Sequence, residues 1–194
     1  MLYFLNIIAL AGTLNLDIIE KHDRCYYLKI NEGYMDAKST ALDYISSFIG
    51  VPYKWGGDDY SAMDCSGLVV EYLKCLGVIG ELDDYNAQGI WDLLIRKRVI
   101  IPQKGDLVFF YKEHNPVLKI THVEILLNEE FSIGAMGGGP LTINEDKAIK
   151  QNAFIKVRRF KHKKNIMGYI NPLASDNAGK FVPYENIDKK QNQI

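Results

Sequence analysis

The stretch Gly50–Gly67, GVPYKWGGDDYSAMDCSG, decides how the rest of the chain is read. It stops one predicted helix and opens the next. Upstream, Asp36–Ile49 carries Ala41, Leu42, Ile45 and Ile49 at three- and four-residue steps, the period of one helix face. Gly50 and Pro52 forbid its continuation. Downstream, Asp64–Leu76 places Leu68, Val69, Tyr72, Leu73 and Leu76 on one face, and Gly77 ends it in the left-handed position. Val51–Ala62 is the loop between them. Cys65 therefore falls in the first turn of a helix, where the positive end of the macrodipole and the free N–H groups favour thiolate over thiol. A free thiol with a pKa near about 8.5 is only slightly ionised at neutral pH, so that placement makes Cys65 a candidate nucleophile. Gly67 lets another segment approach the helix start closely.

Outward from this centre, Ala87–Arg98 reads as a helix with Trp91, Leu94 and Ile95 inward. Leu107–Tyr111 and Ile120–Leu127 are strand-like, rich in β-branched and aromatic residues, with Lys112–Lys119 as a loop broken at Asn115-Pro116. Ser132–Met136 and Phe154–Phe160 are further strands, the latter with Phe154, Ile155 and Val157 as its apolar set. Helices precede strands, which favours an α+β domain over alternating βαβ units. His122 interrupts the apolar run ITHVEILL, a position suited to a rigidly held base facing a helix-borne cysteine. Either residue alone has a bland reading, Cys65 as a small buried hydrophobe and His122 as a hydrogen-bonded core residue.

Composition narrows the class. The 194 residues are 47% hydrophobic and 24% charged, an ordinary globular balance that excludes a disordered or polytopic membrane chain. Twenty-three Lys and Arg against 24 Asp and Glu leave a net charge of −1, so no electrostatic attraction to nucleic acid is expected. Three cysteines, Cys25, Cys65 and Cys75, are too few for a disulfide scaffold. Cys75 lies about 80° around the helix from Cys65 and is expected to pack, as is Cys25. Met1–Leu16 is apolar, but no Lys or Arg precedes it and Asn6 interrupts it. It is too short for a membrane span, lacks a secretory leader's basic start, and is expected to pack on the core.

Together, Tyr53, Trp55-Gly56-Gly57, Asp64-Cys65-Ser66-Gly67, Gly105-Asp106-Leu107 and His122-Val123 resemble the NlpC/P60 family of cell-wall cysteine peptidases over about residues 38–135. The resemblance implies a papain-like α+β fold in which a helix carrying Cys65 packs on an antiparallel sheet carrying His122. The catalytic domain is expected over 36–173; from their own composition, segment 1–35 is expected to pack on it and 174–194 to form a polar tail. Cys65 becomes the nucleophile and His122 the general base, then acid. Tyr53 joins the Cys65 N–H at the oxyanion, and Asp64 and Ser66 recognise a free amino end of a peptidoglycan stem peptide. The implied reaction is hydrolysis of an amide of the γ-D-glutamyl–diamino acid type, with no cofactor and no metal. It places the chain in the cell envelope, secreted, or associated with a phage, and leaves the oligomeric state open. Another amidase or acyltransferase chemistry and a non-catalytic wall-binding or tail module are the alternatives.

The departure from the family is the third catalytic position. A polar residue, often His, follows the base by about a dozen residues on the next strand; here that place is Gly134. Glu124, two residues after His122 and on the same strand face, is the candidate orienter. A backbone carbonyl or Ser132 would serve instead, and a solvated Glu124 is the plain reading. Asp64 has a plain reading too, as a helix N-cap. Trp55 is read as a groove wall or a core residue, and the groove is expected between Tyr53, Trp55 and the Lys112–Lys119 loop. His114 is the rival base. Arg158, Arg159, Lys161 and His162 form a basic run expected on the surface, where they would otherwise attract an anionic polymer. Gly137–Gly139 lacks the pattern of a phosphate loop.

Overall fold

The computed structural model describes residues 37–114 and 117–176. The expectations for Met1–Leu16, for Cys25 and for most of the polar tail fall outside those residues. Among the described residues, four α-helices and eight strands follow one another: α1 Ala37–Ser46, β1 Asp58–Asp59, β2 Ala62–Met63, α2 Cys65–Cys75, α3 Ala87–Leu94, β3 Arg98–Val99, β4 Leu107–His114, β5 Val117–Leu126, β6 Phe131–Met136, α4 Glu145–Gln151, β7 Phe154–Arg159 and β8 Ile166–Ile170.

Six strands form one antiparallel sheet in the order β3-β8-β4-β5-β6-β7, and β1 pairs with β2 in a separate small hairpin. Helices α1, α2 and α3 bury their apolar stripes on one face of the large sheet. Leu68, Val69 and Leu73 of α2 and Ile90 and Trp91 of α3 join Leu107, Phe109, Val123, Ile125, Ile133 and Ile155 in the main core. Trp91 meets Phe109 edge-on, with ring centroids 5.1 Å apart. The opposite face carries a smaller cluster of Val108, Phe110, Leu126 and Phe160. At the far end of α2, the Tyr72 hydroxyl donates to the Gly105 carbonyl. There Lys38 of α1 makes a buried ion pair of 2.5 Å with Asp106, so α1 and α2 are both fixed to the start of β4.

One irregularity in this sheet decides which way the second half of β5 faces. β4 and β5 pair Phe110 with His122 but Tyr111 with Ile120, leaving Thr121 as an extra residue. A bulge of this kind reverses the alternation of side chains. Ile120, Val123 and Ile125 all enter the main core. From the bulge onward, His122, Glu124 and Leu126 point to the opposite face.

Several boundaries differ from the sequence reading. Lys112–His114 and Val117–Lys119 are strand rather than loop, because β4 and β5 continue to pair outward, with Lys112 opposite Lys119 and Glu113 opposite Leu118. Lys112, Glu113 and Lys119 carry no apolar signal, and Asn115-Pro116 reads as a break. The helix expected to Arg98 ends at Leu94, passes through a 3₁₀ turn and enters β3, so Ile95 is exposed. α1 ends at Ser46, which leaves Ile49 outside, and Val157 is exposed on the edge strand β7. Cys75 is tied in a disulfide rather than merely packed, while Cys65 is free.

Candidate active site

Cys65 opens α2, and the residues beside it hold that helix end in place. Asp64 is the N-cap: its Oδ1 accepts from the Ser66 and Gly67 N–H groups at 2.8 and 2.9 Å and from the Ser66 hydroxyl at 2.7 Å. Its Oδ2 accepts from the Gly56 N–H at 2.9 Å, which ties the Trp55-Gly56-Gly57 turn to the helix start. The N-cap reading of Asp64 is therefore met, and Ser66 turns its hydroxyl into the same cap. Gly67 is required by close approach: a Cβ there would lie 2.3 Å from the Gly57 carbonyl oxygen. The loop thus closes onto the helix it precedes, and the Cys65 side chain is only slightly exposed.

Tyr53 is buried beside this helix end. Its backbone N–H donates to the Ala153 carbonyl at 2.9 Å, and its ring lies against Gly138, where a Cβ would fall 2.1 Å from Cδ1. Burial, the charge of Cys65 and the charge of Asp64 all push the Tyr53 phenol upward, so it stays protonated and able to donate. Trp55 is 51% exposed and is not a core residue. Its N–H donates to the Thr142 carbonyl at 2.8 Å, which sets it beside the exposed Leu141 and Ile143. The loop flanking Tyr53 and Trp55 is therefore Gly137–Ile143; of the Lys112–Lys119 segment expected as the third wall, Lys112–His114 and Val117–Lys119 are strand.

His122 comes to Cys65 from the sheet. The imidazole is within hydrogen-bonding reach of the thiol, and its Nε2 lies 2.6 Å from Glu124 Oε1. Burial pushes the imidazole down, but the charge and hydrogen bond of Cys65 and those of Glu124 outweigh it and raise its pKa to about 9. Glu124 is completely buried. It accepts from the Ser132 hydroxyl at 2.5 Å, from Arg158 Nε at 3.1 Å and from a second guanidinium nitrogen of Arg158. Burial pushes its carboxyl up, while His122, Arg158 and Ser132 together hold it below the ordinary carboxylate range.

The arrangement joins a cysteine at a helix start, an imidazole and a buried carboxylate. Sequence reasoning named all three, with Tyr53, Asp64 and Ser66 around them. It missed Arg158, read as part of a surface basic run, because only the register of β7 turns that side chain toward Glu124. Among the described residues no group of three or more His, Cys, Asp or Glu side chains is placed to hold a metal. No described helix is long and apolar enough to cross a membrane.

Known proteins resemble this chain in sequence and in fold. The sequence profile of the NlpC/P60 family matches residues 50–159, more than half the chain. The chain is 36% identical over 64 residues to a probable peptidoglycan endopeptidase, LytE, of Bacillus subtilis, covering 33% of this chain and 18% of that protein. It is 33% identical over 108 residues to dipeptidyl-peptidase 6 of Lysinibacillus sphaericus, covering 54% and 34%. It thus matches about a third or less of either relative's length. Among solved structures, an NlpC/P60 family protein from Bacillus cereus shares the fold at a TM-score of 0.54 and 17% identity, over 73% of this chain and 42% of that one. NlpC2 from Trichomonas vaginalis does so at 0.55 and 14% identity, over 71% and 47%. A profile match spanning the Cys65 helix and the His122 strand, on a fold shared with solved members, places this chain in the NlpC/P60 family.

Proposed function

We propose that this chain is a cysteine peptidase that hydrolyses an amide bond in peptidoglycan stem peptides, of the γ-D-glutamyl–diamino acid type. The observation that carries the reading is His122 held between Cys65 and Glu124. The names of the relatives, a peptidoglycan endopeptidase and a dipeptidyl-peptidase, support the substrate class.

In the proposed reaction, the Cys65 thiolate attacks the amide carbonyl and its oxygen becomes an oxyanion. The Cys65 N–H is not among the groups that the Asp64 cap takes, and it serves as one donor to that oxygen; the Tyr53 hydroxyl serves as the second. His122, protonated below about pH 9, gives its proton to the leaving amine as the C–N bond breaks. Water, deprotonated by the now neutral His122, then cleaves the thioester and releases the carboxylate. Glu124 keeps Nε2 engaged, so that the other ring nitrogen, Nδ1, serves Cys65. Asp64 recognises the substrate's amino end through its charge, because about four lone-pair sites of its carboxylate already meet four donors. A non-catalytic reading drew its support from the empty third position at Gly134, and Glu124 filling that space removes this support.

The test is mass spectrometry of chemically defined muropeptides incubated with the protein. The wild type is expected to release two fragments whose masses identify the bond. Cys65→Ala is expected to lose turnover by a factor on the order of 10⁶. Activity retained in that variant would overturn the reading.

A further inference from the structure

Two arginines stand side by side on β7 and do opposite things. Arg159 faces solvent, pairs with Glu130 at 2.9 Å and lies over the Phe131 ring. Arg158 faces the other way. The sheet register sets it opposite Ser132 of β6, and its guanidinium crosses β6 to reach Glu124 of β5 through two nitrogens. It ends over the Phe110 ring of β4, 5.2 Å from the centroid, and Phe110 in turn lies 5.6 Å from the His122 ring. The side chain thus passes β6 to arrive at the back of the imidazole's partner, where residues of four strands meet.

This crossing needs space. β5 and β6 pair Ile125 with Ile133, so the next step of the same register sets Glu124 against Gly134. A Cβ at Gly134 would lie 2.7 Å from Glu124 Cγ and 3.3 Å from its Cβ. Any side chain there would push Glu124 off its track toward His122. Gly134 is backed by no positive φ; what demands glycine is the Glu124 side chain lying across it.

We infer that Arg158 is a positioning residue for His122, acting through Glu124, and that Gly134 is the gap that lets the two meet. This role rests on the proposed catalytic roles of Cys65 and His122. Its physical basis is the cost of a buried carboxylate, which takes up a proton unless a charge or hydrogen bonds hold it ionised. A protonated Glu124 would no longer stabilise an imidazolium. The titratable and charged groups facing Glu124 are His122 from its own strand and Arg158 from β7, beside the Ser132 hydroxyl from β6; the neutral Phe110 ring of β4 meets Arg158 and His122, and Cys65 of α2 faces the carboxylate only through the imidazole. Arg158 is therefore the one permanent cation facing that carboxylate among the described residues. Its two nitrogens also fix the plane of the carboxylate, which a lysine's single head cannot do.

The test measures kcat and KM separately on a defined muropeptide from pH 5 to 10. In Arg158→Met, kcat is expected to fall about 10–100-fold, the size typical of supporting residues one step behind a reacting group. KM should change little. The acid limb of the kcat profile should move up by about 1–3 pH units, as Glu124 loses its cation. Arg158→Lys should restore the acid limb but not the full kcat, because it returns the charge without the fork. Gly134→Ala should lower kcat with Arg158 intact. Should Arg158→Met fail to fold, Arg158→Gln makes the same comparison. A wild-type kcat and pH profile in the neutral variant overturns the role of Arg158, and a wild-type kcat in Gly134→Ala overturns that of Gly134. If Cys65→Ala is inactive while these variants match wild type, only this inference falls; if Cys65→Ala is active, the underlying reading falls with it.

Discussion

The two halves of the site are built by different means. The Cys65 half is made by backbone: a loop and a helix start, closed by the Asp64 cap and by Gly67 against the Gly57 carbonyl, all within Gly50–Gly67. The His122 half is made by side chains from four strands, Phe110, His122, Glu124, Ser132 and Arg158, which converge only when the sheet assembles. The first half uses hydrogen bonds to keep a helix end in place. The second uses a buried charge network to keep one imidazole oriented and charged. Cys65 itself apart, damage to the scaffold of the first should therefore appear mainly as lost stability, and damage to the second mainly as lost rate.

The sharpest way to break the comparison is Glu124→Gln. The amide keeps the shape of the carboxylate but not its charge, and it can present a donor to Nε2 where an acceptor is needed. Turnover should fall by up to about 10⁴, as for the equivalent change in other triads. The alkaline limb should move as well. Glu124 is one of the groups that raise His122 to about 9, so its neutralisation lowers that value and His122 loses its proton at lower pH. Activity in the variant should thus decline well below pH 9. An alkaline limb that stays in place would separate Glu124 from the imidazole. The exchange Glu124→Ala with Gly134→His sharpens the test, since it returns the orienter to the adjacent strand. With Glu124 cut back, the 2.7 Å clash over Gly134 disappears. The double variant should recover at least about tenfold over Glu124→Ala alone. Recovery should stay partial, because Arg158 would then face an imidazole instead of a carboxylate.

The same division governs what could be read from sequence. Everything in the Cys65 half is contiguous, so capping chemistry and helical period exposed α2, its N-cap and its glycine stop. His122 and Glu124 were legible as a pair because a two-residue step on a strand shares a face. Arg158 was not, because β7 shows only Ile155 as a core residue and nothing local indicates which neighbour across the sheet Arg158 meets. α4 escaped for a similar reason: with Ala148 alone buried, it has no apolar stripe, and only its Asn144 cap and the left-handed Asn152 mark its ends. β8 was hidden by Gly168, which weakens a strand signal. That glycine is there because the strand passes over Trp91, whose ring atom would lie 3.2 Å from an added Cβ.

On the Cys65 side, Asp64→Ala removes the acceptor of four donors and frees both the helix start and the Gly56 turn. Urea or thermal unfolding should show a loss of about 2 kcal/mol, the upper end for a helix N-cap. Asp64→Asn should recover part of it. Its carbonyl can still accept from Ser66 and Gly67, but its amide would then face the Gly56 N–H, donor against donor. A variant that lost rate and kept full stability would overturn the division between the two halves.

The smallest effect belongs to Arg159, and it isolates what burial adds to an arginine. Arg159 and Glu130 pair at 2.9 Å, a normal charged contact, but their side chains are 54% and 46% exposed. Water screens such a pair, and holding two long side chains in one geometry costs entropy, so its worth is about 0–1 kcal/mol. Arg159→Met should shift the unfolding midpoint by little and leave kcat, KM and both limbs of the pH profile where they were. Arg158→Met differs from it by one position on the same strand and removes the same charge from the chain. If the two variants behaved alike, the effect of Arg158 would be one of net charge. If only Arg158→Met moves the acid limb, the cause is the side of the sheet on which the guanidinium stands.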